Sequence, residues 1–300
     1  NGTPEENLRT LWSASRFFGA NQIGVVPITA NTKKLIYLNN GKNKPYNFTN
    51  DAVAEEKDTE YILPNKCNNM LVFTTLEATT QARSAPGPTW SGYDHYNRVT
   101  NRIHYFLEAM GYQHIDMGGV SASNPWGALA GVGEHSRAGF LLTSYKFGNM
   151  NRGMHRIMTD MPLEATHPVN TGVARFCVDC MTCATYCPYG SMPMDDVRWD
   201  HWNPADEAIG NYTKGWKGWR TAFAEKGCPK CKACHGACPF NGSDATIHQL
   251  VRATQAVTPI FNGFFANMEH SFGYGPSNPD DFWDIAMPVG RWDDHFIRTQ

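Results

Sequence analysis

The sequence predicts a layered α+β fold: an α/β core over residues 1–168, then a segment built on two cysteine blocks over 169–245, and a C-terminal segment over 246–300 that packs back on the core. Three observations predict it. Helical and strand-like spacings alternate along the first half, as they do where helices cover a sheet. Eight of the nine cysteines fall into two short blocks of one spacing. The chain has 300 residues, 41% of them hydrophobic and 12% aromatic, which is enough for a large core.

The elements follow in order. Thr3 is an N-cap candidate, Pro4 sits at the first helical position, and Glu6 completes a capping box. Leu8, Leu11, Trp12 and Phe18 share one face of that helix, and Gly19 stops it. Ile23 to Ile28 reads as a strand, residues 39–58 as a polar loop, Met70 to Leu76 as a second strand and residues 83–92 as a Gly/Pro-rich loop. Residues 93–110 have helical spacing, with Val99, Ile103, Phe106, Leu107 and Met110 on one face and Gly111 as the cap. Residues 112–120 read as a strand, 117–133 as a stretch of small residues and glycines, and Phe140 to Tyr145 as a further strand. Residues 246–256 look helical, and the last 30 residues look like loop. The Gly-rich stretch offers only Gly131-Val132-Gly133, with Ser136 where a third glycine belongs, so a dinucleotide fingerprint is weak.

Composition excludes some classes. Lys+Arg is 26 and Asp+Glu is 28, a net charge of −2, so a general polyanion-binding surface is not supported. No apolar run approaches the ~20 residues of a spanning helix. The opening NGTPEENLRT has neither the basic start nor the apolar run of an export signal, and its Asn in place of Met is expected of a processed or truncated chain.

The cysteine blocks read CVDCMTCATYCP (177–188) and CPKCKACHGACP (228–239). Each is C-x2-C-x2-C-x3-C-P, the bacterial ferredoxin spacing for 4Fe–4S clusters. Three closely spaced thiolates wrap one cube, and the fourth, before a proline, reaches the other. Crossed ligation is therefore expected: Cys177, Cys180, Cys183 and Cys238 around one cluster, and Cys228, Cys231, Cys234 and Cys187 around the second. Disulfide frameworks belong to shorter, loop-rich chains, and zinc sites favour paired C-x2-C. Cys67 stands apart and is expected to be a buried small residue. Two such clusters imply electron transfer without naming a reaction.

Several further blocks carry a resemblance. AMGYQHI (109–115), AGVGEHSRAGFLLT (130–143), TDMPLEATHPVNTGVARFC (159–177) and IHQLVRATQAVTPIFNGFFANMEHSFGYG (247–275) occur in this order. Together they resemble the corrinoid-dependent reductive dehalogenases over roughly residues 90–275. The resemblance implies a nitroreductase-like core with a ferredoxin-like cluster domain, a base-off corrinoid (cobamide) and two 4Fe–4S clusters. It implies loss of halide from a small organohalide, R–X + 2e⁻ + H⁺ → R–H + X⁻. It also implies export to the outer face of the cytoplasmic membrane, beside a membrane anchor subunit and an upstream electron donor, with no nucleic acid partner.

Site residues follow from the family register. Tyr93 falls at the position of the family's proton donor, and Arg152 is the best match for its Arg, with Arg156 second and Tyr96 as the competing Tyr. The pairing has a physical reason: a phenol loses its proton reluctantly, and a guanidinium beside it stabilises the phenolate. Gly118, Gly119, Ser121, Ser123 and Asn124 are expected to let the backbone approach the corrinoid. Glycines at 118 and 119 replace an Asn of some members, which leaves Asn124 and His135 as candidates for a third polar group. Trp90, Trp126, Trp199, Trp202, Trp216, Trp219 and Phe272 could enclose an apolar pocket. Fewer residues precede Tyr93 than in the family. Two other readings are an epoxyqueuosine reductase-like corrinoid enzyme, which calls for a basic surface, and a ferredoxin-type electron-transfer subunit, which binds no corrinoid.

Overall fold

The computed structural model describes residues 2–77, 90–139, 142–199, 217–219, 221–222, 225–241, 246–272, 278 and 280. Within them the chain is a mixed α+β protein. Its first helix, α1 (Pro4–Phe18), starts at the expected capping box: the Thr3 side chain accepts from the Glu6 amide, and the Glu6 carboxylate accepts from the Thr3 amide. It ends at Gly19 in the left-handed region, with φ 114°.

A four-stranded sheet forms the frame. Its order is β1 (Gln22–Pro27), β5 (Asn69–Leu76), β9 (Asn151–Thr159) and β6 (His114–Asp116), and every pairing is antiparallel. The strands expected near 23–28 and 70–76 are β1 and β5. Alternate side chains of β5 enter two cores. Leu71 and Phe73 meet Leu11 of α1 and Val99, Ile103 and Leu107 of α2 (Trp90–Ala109). Met70 and Val72 meet Trp126 of α3 (Ser123–Leu129) with Met154 and Met158. The sheet is thus covered on both faces.

Several expectations are corrected. Residues 39–58 are not all loop: β2 (Tyr46–Thr49) and β3 (Glu55–Glu56) flank β4 (Tyr61–Pro64) in a small sheet, with Tyr46 stacked on Tyr61 at 4.9 Å. These strands are too short to show a period in sequence. Trp90 already lies in α2, while 83–89 fall outside the described residues. Met110 is 44% exposed, because α2 has ended by that point. The Gly-rich stretch contains the helix α3. Of the strand expected at 140–145 only β8 (Leu142–Thr143) is seen, paired with β7 (Glu134–His135); 140–141 are outside the described residues. The largest omission is β9. Its NRGMHRIMT looks polar in sequence, yet six of its residues are buried at the centre of the sheet.

The cysteine blocks form short helices: α4 (Val173–Cys180) and α5 (Thr182–Thr185) in the first, α6 (Ala233–Gly236) in the second. The C-terminal helices α7 (Thr246–Val257) and α8 (Asn262–Phe272) pack against α4. Phe265 and Ala266 of α8 share a core with Val173, Phe176 and Phe240. Beyond residue 272 only residues 278 and 280 are described, so the expectation of loop there stays untested. No helix among the described residues is long and apolar enough to cross a membrane.

The two-sided core makes a testable contrast within one helix. Leu107 is fully buried and Tyr105 is 71% exposed. Leu107→Ala is expected to cost about 2–5 kcal/mol, and Tyr105→Ala to stay within about 0.5 kcal/mol of the parent, in urea unfolding.

Candidate cofactor and active site

One short segment positions the first cysteines. Glu134 accepts at one carboxylate oxygen from the amides of Thr171 (2.9 Å) and Val173 (3.2 Å) and from the Thr171 hydroxyl. It therefore caps the N-terminus of α4, where negative charge is favoured. Three residues on, Arg137 takes the other end. Its guanidinium donates to the carbonyls of Cys177 (3.0 Å), Val178 (3.1 Å), Pro193 and Asp195 (both 2.9 Å). Arg137 is 1% exposed and lies over the Trp219 ring. The Glu and Arg of the GEHSR block thus hold the helix that carries Cys177 and Cys180.

The described structure sorts the eight cysteines into two groups. None is in a disulfide. Burial pushes the Cys177 thiol up to about 12, with Cys180 beside it. Burial also raises Cys183 and Cys238, whose thiol neighbours include Cys177 and Cys180. Burial pushes Cys234 up to about 12, with Cys187, Cys231 and Cys228 around it. The last cysteine of each block thus lies with the other block, and Cys183 approaches Cys234 between the groups. Among the described residues no three His, Cys, Asp or Glu side chains converge as a single metal ion requires. Free thiols, four to a group and spread around a volume, fit a polynuclear iron–sulfur cluster, whose charge would hold them as thiolates.

The blocks share a backbone device. Met181 and Lys232, each just after the second cysteine of its block, have φ 50° and 71°. Left-handed backbone at a non-glycine costs about 1–2 kcal/mol, so surrounding contacts must enforce it.

A cavity of about 400 Å³ opens between the second cysteine group and the sheet. Cys187, Cys228, Cys231 and Cys234 line one side, and Tyr93, Tyr96, Gly153 and His155 the other. A β-bulge shapes that second wall. Phe73 pairs with His155 but Thr74 with Gly153, so Met154 is left over. Gly153 and Met154 have φ 96° and 73°. A Cβ on Gly153 would stand 1.9 Å from His155 Nε2, so only glycine fits. The bulge lays the His155 ring on Tyr96, with centroids 3.9 Å apart and planes 15° apart. The Tyr93 ring stands 5.9 Å from Tyr96.

The remaining expected site residues are placed as follows. Arg152 pairs with Thr75 in the sheet beside the bulge, and its side chain is outside the described residues. Arg156 points elsewhere: it donates to the carbonyls of Met154, Met117, Gly118 and Ser121 and to the Ser121 hydroxyl, which folds the 117–121 turn around it. Burial lowers its pKa. Gly118, Gly119, Ser121, Ser123 and Asn124 are not among the residues lining the cavity, and Asn124 donates to the Gly139 carbonyl at 3.4 Å. His135 lines a separate groove with Glu134, Arg175 and Trp219, and burial lowers its pKa. Trp126 is fully buried in the core. Trp202 and Trp216 are outside the described residues, as are the side chains of Trp90, Trp199 and Phe272. Cys67 is buried, and burial pushes its thiol up to about 11. Sequence reasoning missed Arg137 and His155. The position of Arg137 inside the GEHSR block was the available signal; nothing in sequence marked the bulge.

No protein-family model matches the chain. It is 32% identical to the trichloroethene reductive dehalogenase of Dehalococcoides mccartyi, over 96% of this chain and 58% of that protein. The chain is similar to the reductive dehalogenases over almost its whole length. The tetrachloroethene reductive dehalogenase of Sulfurospirillum multivorans is 27% identical, over 99% of this chain and 63% of that one. The chain thus spans less than two thirds of the length of these relatives. The solved catabolic reductive dehalogenase NpRdhA, in complex with 3-bromo-4-hydroxybenzoic acid, has the same fold at a TM-score of 0.66 and 18% identity, over 90% of this chain and 37% of that chain.

The clamp on α4 can be tested. Arg137→Met strands four carbonyls, three of them partners of the guanidinium's terminal nitrogens. A buried acceptor without its donor costs about 1–3 kcal/mol. Thermal unfolding is expected to show a loss of about 3 kcal/mol or more for Arg137→Met, and a smaller one for Arg137→Lys, which keeps the charge but lacks the planar fork.

Proposed function

We propose that this chain is the cofactor-binding part of a reductive dehalogenase, an oxidoreductase that replaces halide by hydrogen: R–X + 2e⁻ + H⁺ → R–H + X⁻. One observation carries the reading: Tyr93 borders a cavity whose opposite wall is four cysteines of ferredoxin spacing. A proton donor and an electron source thus face one space. The finer fold assignment, a nitroreductase-like core joined to a ferredoxin-like domain over the 169–245 segment, belongs to the same proposal.

Cys177, Cys180, Cys183 and Cys238 would hold one 4Fe–4S cluster, and Cys187, Cys228, Cys231 and Cys234 the other. When bound, the clusters supply electrons singly and a corrinoid supplies the carbon–halogen chemistry. The rest falls to the chain's own residues. Tyr93 holds the transferable proton at its hydroxyl. Arg152, the residue before the cavity-lining Gly153 on β9, would stabilise the phenolate left behind. Tyr96, Pro188, Tyr189 and Met192 give the cavity apolar walls that exclude water and orient a small organohalide. Corrinoid contact by Gly118, Gly119, Ser123 and Asn124 stays within the proposal; Ser121 is engaged by Arg156. Export, a membrane anchor subunit and an upstream electron donor are proposed on the family resemblance alone.

The test is anaerobic reconstitution followed by iron, sulfide and corrinoid quantification and a halide-release assay. About eight irons per chain and bound corrinoid are expected for two four-iron clusters. Tyr93→Phe is expected to keep both contents and lower turnover by about 10²-fold or more. Iron without corrinoid would overturn the proposal in favour of an electron carrier.

A further inference from the structure

Glu77 follows β5 directly and is 1% exposed. Its amide donates to the Met150 carbonyl, which fixes the backbone beside β9. One carboxylate oxygen lies 3.0 Å from His235 Nδ1 and the other 3.7 Å from Lys232 Nζ. The carboxylate can only accept, so Nδ1 of His235 donates. Both partners are buried and both belong to the second cysteine block: Lys232 lies between Cys231 and Cys234, and His235 between Cys234 and Cys238.

The first block is an internal control. It has the same cysteine spacing, and the same left-handed turn at Met181 as at Lys232. At the positions of Lys232 and His235 it carries Met181 and Ala184, which have no charge. The loop backbone therefore forms without an ion pair at these positions. A buried carboxylate and ammonium cost several kcal/mol each in lost hydration, so they are a poor way to hold a loop that apolar residues can hold. What the trio adds is a fixed charge pattern beside the thiols. In a site of low dielectric such charges act strongly on a neighbouring redox centre.

We infer that Glu77 is a positioning residue for the second cysteine group: it holds Lys232 and His235 against that block and, with Lys232, sets the reduction potential of the centre bound there. The inference rests on the reading that this group ligates a 4Fe–4S cluster. Reduction adds an electron to the cluster, so a nearby negative charge lowers its potential and a nearby positive charge raises it.

The experiment is an EPR-monitored redox titration of the full chain, reconstituted anaerobically, with the two signals assigned by a Cys231→Ser variant. Glu77→Gln is expected to raise the potential of the second cluster. Lys232→Gln is expected to lower it. Glu77→Asp, which keeps the charge, is expected to stay near the parent. The first cluster is expected to hold its potential throughout. Shifts of one sign in both charge-removing variants, or equal shifts of both clusters, would overturn the inference and leave a purely structural contact. Should Glu77→Gln fail to fold, Lys232→Gln decides by itself: a fall confined to the second cluster supports the inference, and no fall overturns it. Absence of any cluster from the reconstituted parent is a different result, since it removes the ligation reading itself.

Discussion

The helix carrying Cys177 and Cys180 is gripped at both ends by side chains three residues apart, and much of the site depends on that grip. Glu134 satisfies amides at the start of α4, and Arg137 gathers the carbonyls at its end. Each sits where the helix dipole favours its charge. Because Arg137 also takes Pro193 and Asp195, the chain leaving the first block is tied to the same guanidinium. A single buried planar cation thus sets helix, loop exit and cysteine positions at once. Only arginine has the donors to do this.

The second constraint is the bulge in β9. It breaks the sheet register at the strand's centre and turns two consecutive residues into the left-handed region. The strain is offset by the dense pairing of β5 and β9 on either side. Its result is that His155 and Tyr96 stack into a flat wall next to Tyr93. Bulges re-aim side chains while the surrounding strand stays rigid, which suits a site that must hold its shape. Glu77, immediately beyond β5, ties the second cysteine block to this same sheet.

Much of the scaffold was legible because local rules agreed with the final packing. The capping box at Thr3 and Glu6 formed as read, and the face built on Val99, Ile103 and Leu107 is fully buried. The alternation of Leu71 and Phe73 against Met70 and Val72 made β5 readable. Strand β9 was hidden by the opposite circumstance. Arg156 and His155 are polar in sequence, yet each is accommodated by partners far along the chain. The helix α3 was hidden by its small residues and its one glycine, Gly127, on which neighbouring side chains pack closely. At Gly127 a Cβ would stand 2.8 Å from Leu142 and Met154.

By itself the sequence determined which thiols are present and how they are spaced, since those are properties of a short stretch of chain, and it determined the helices and strands whose periodicity is local. The tertiary structure decided which thiols share a group, that Tyr93 and Tyr96 border one cavity, and that Arg156 folds the 117–121 turn. Those are questions of proximity between residues tens of positions apart. Cys187 and Cys228 are neighbours only because the two blocks fold against each other, and Glu77 meets His235 only because β5 ends beside the second block. A sequence fixes which groups are present, but their distances are set by the closure of the whole chain.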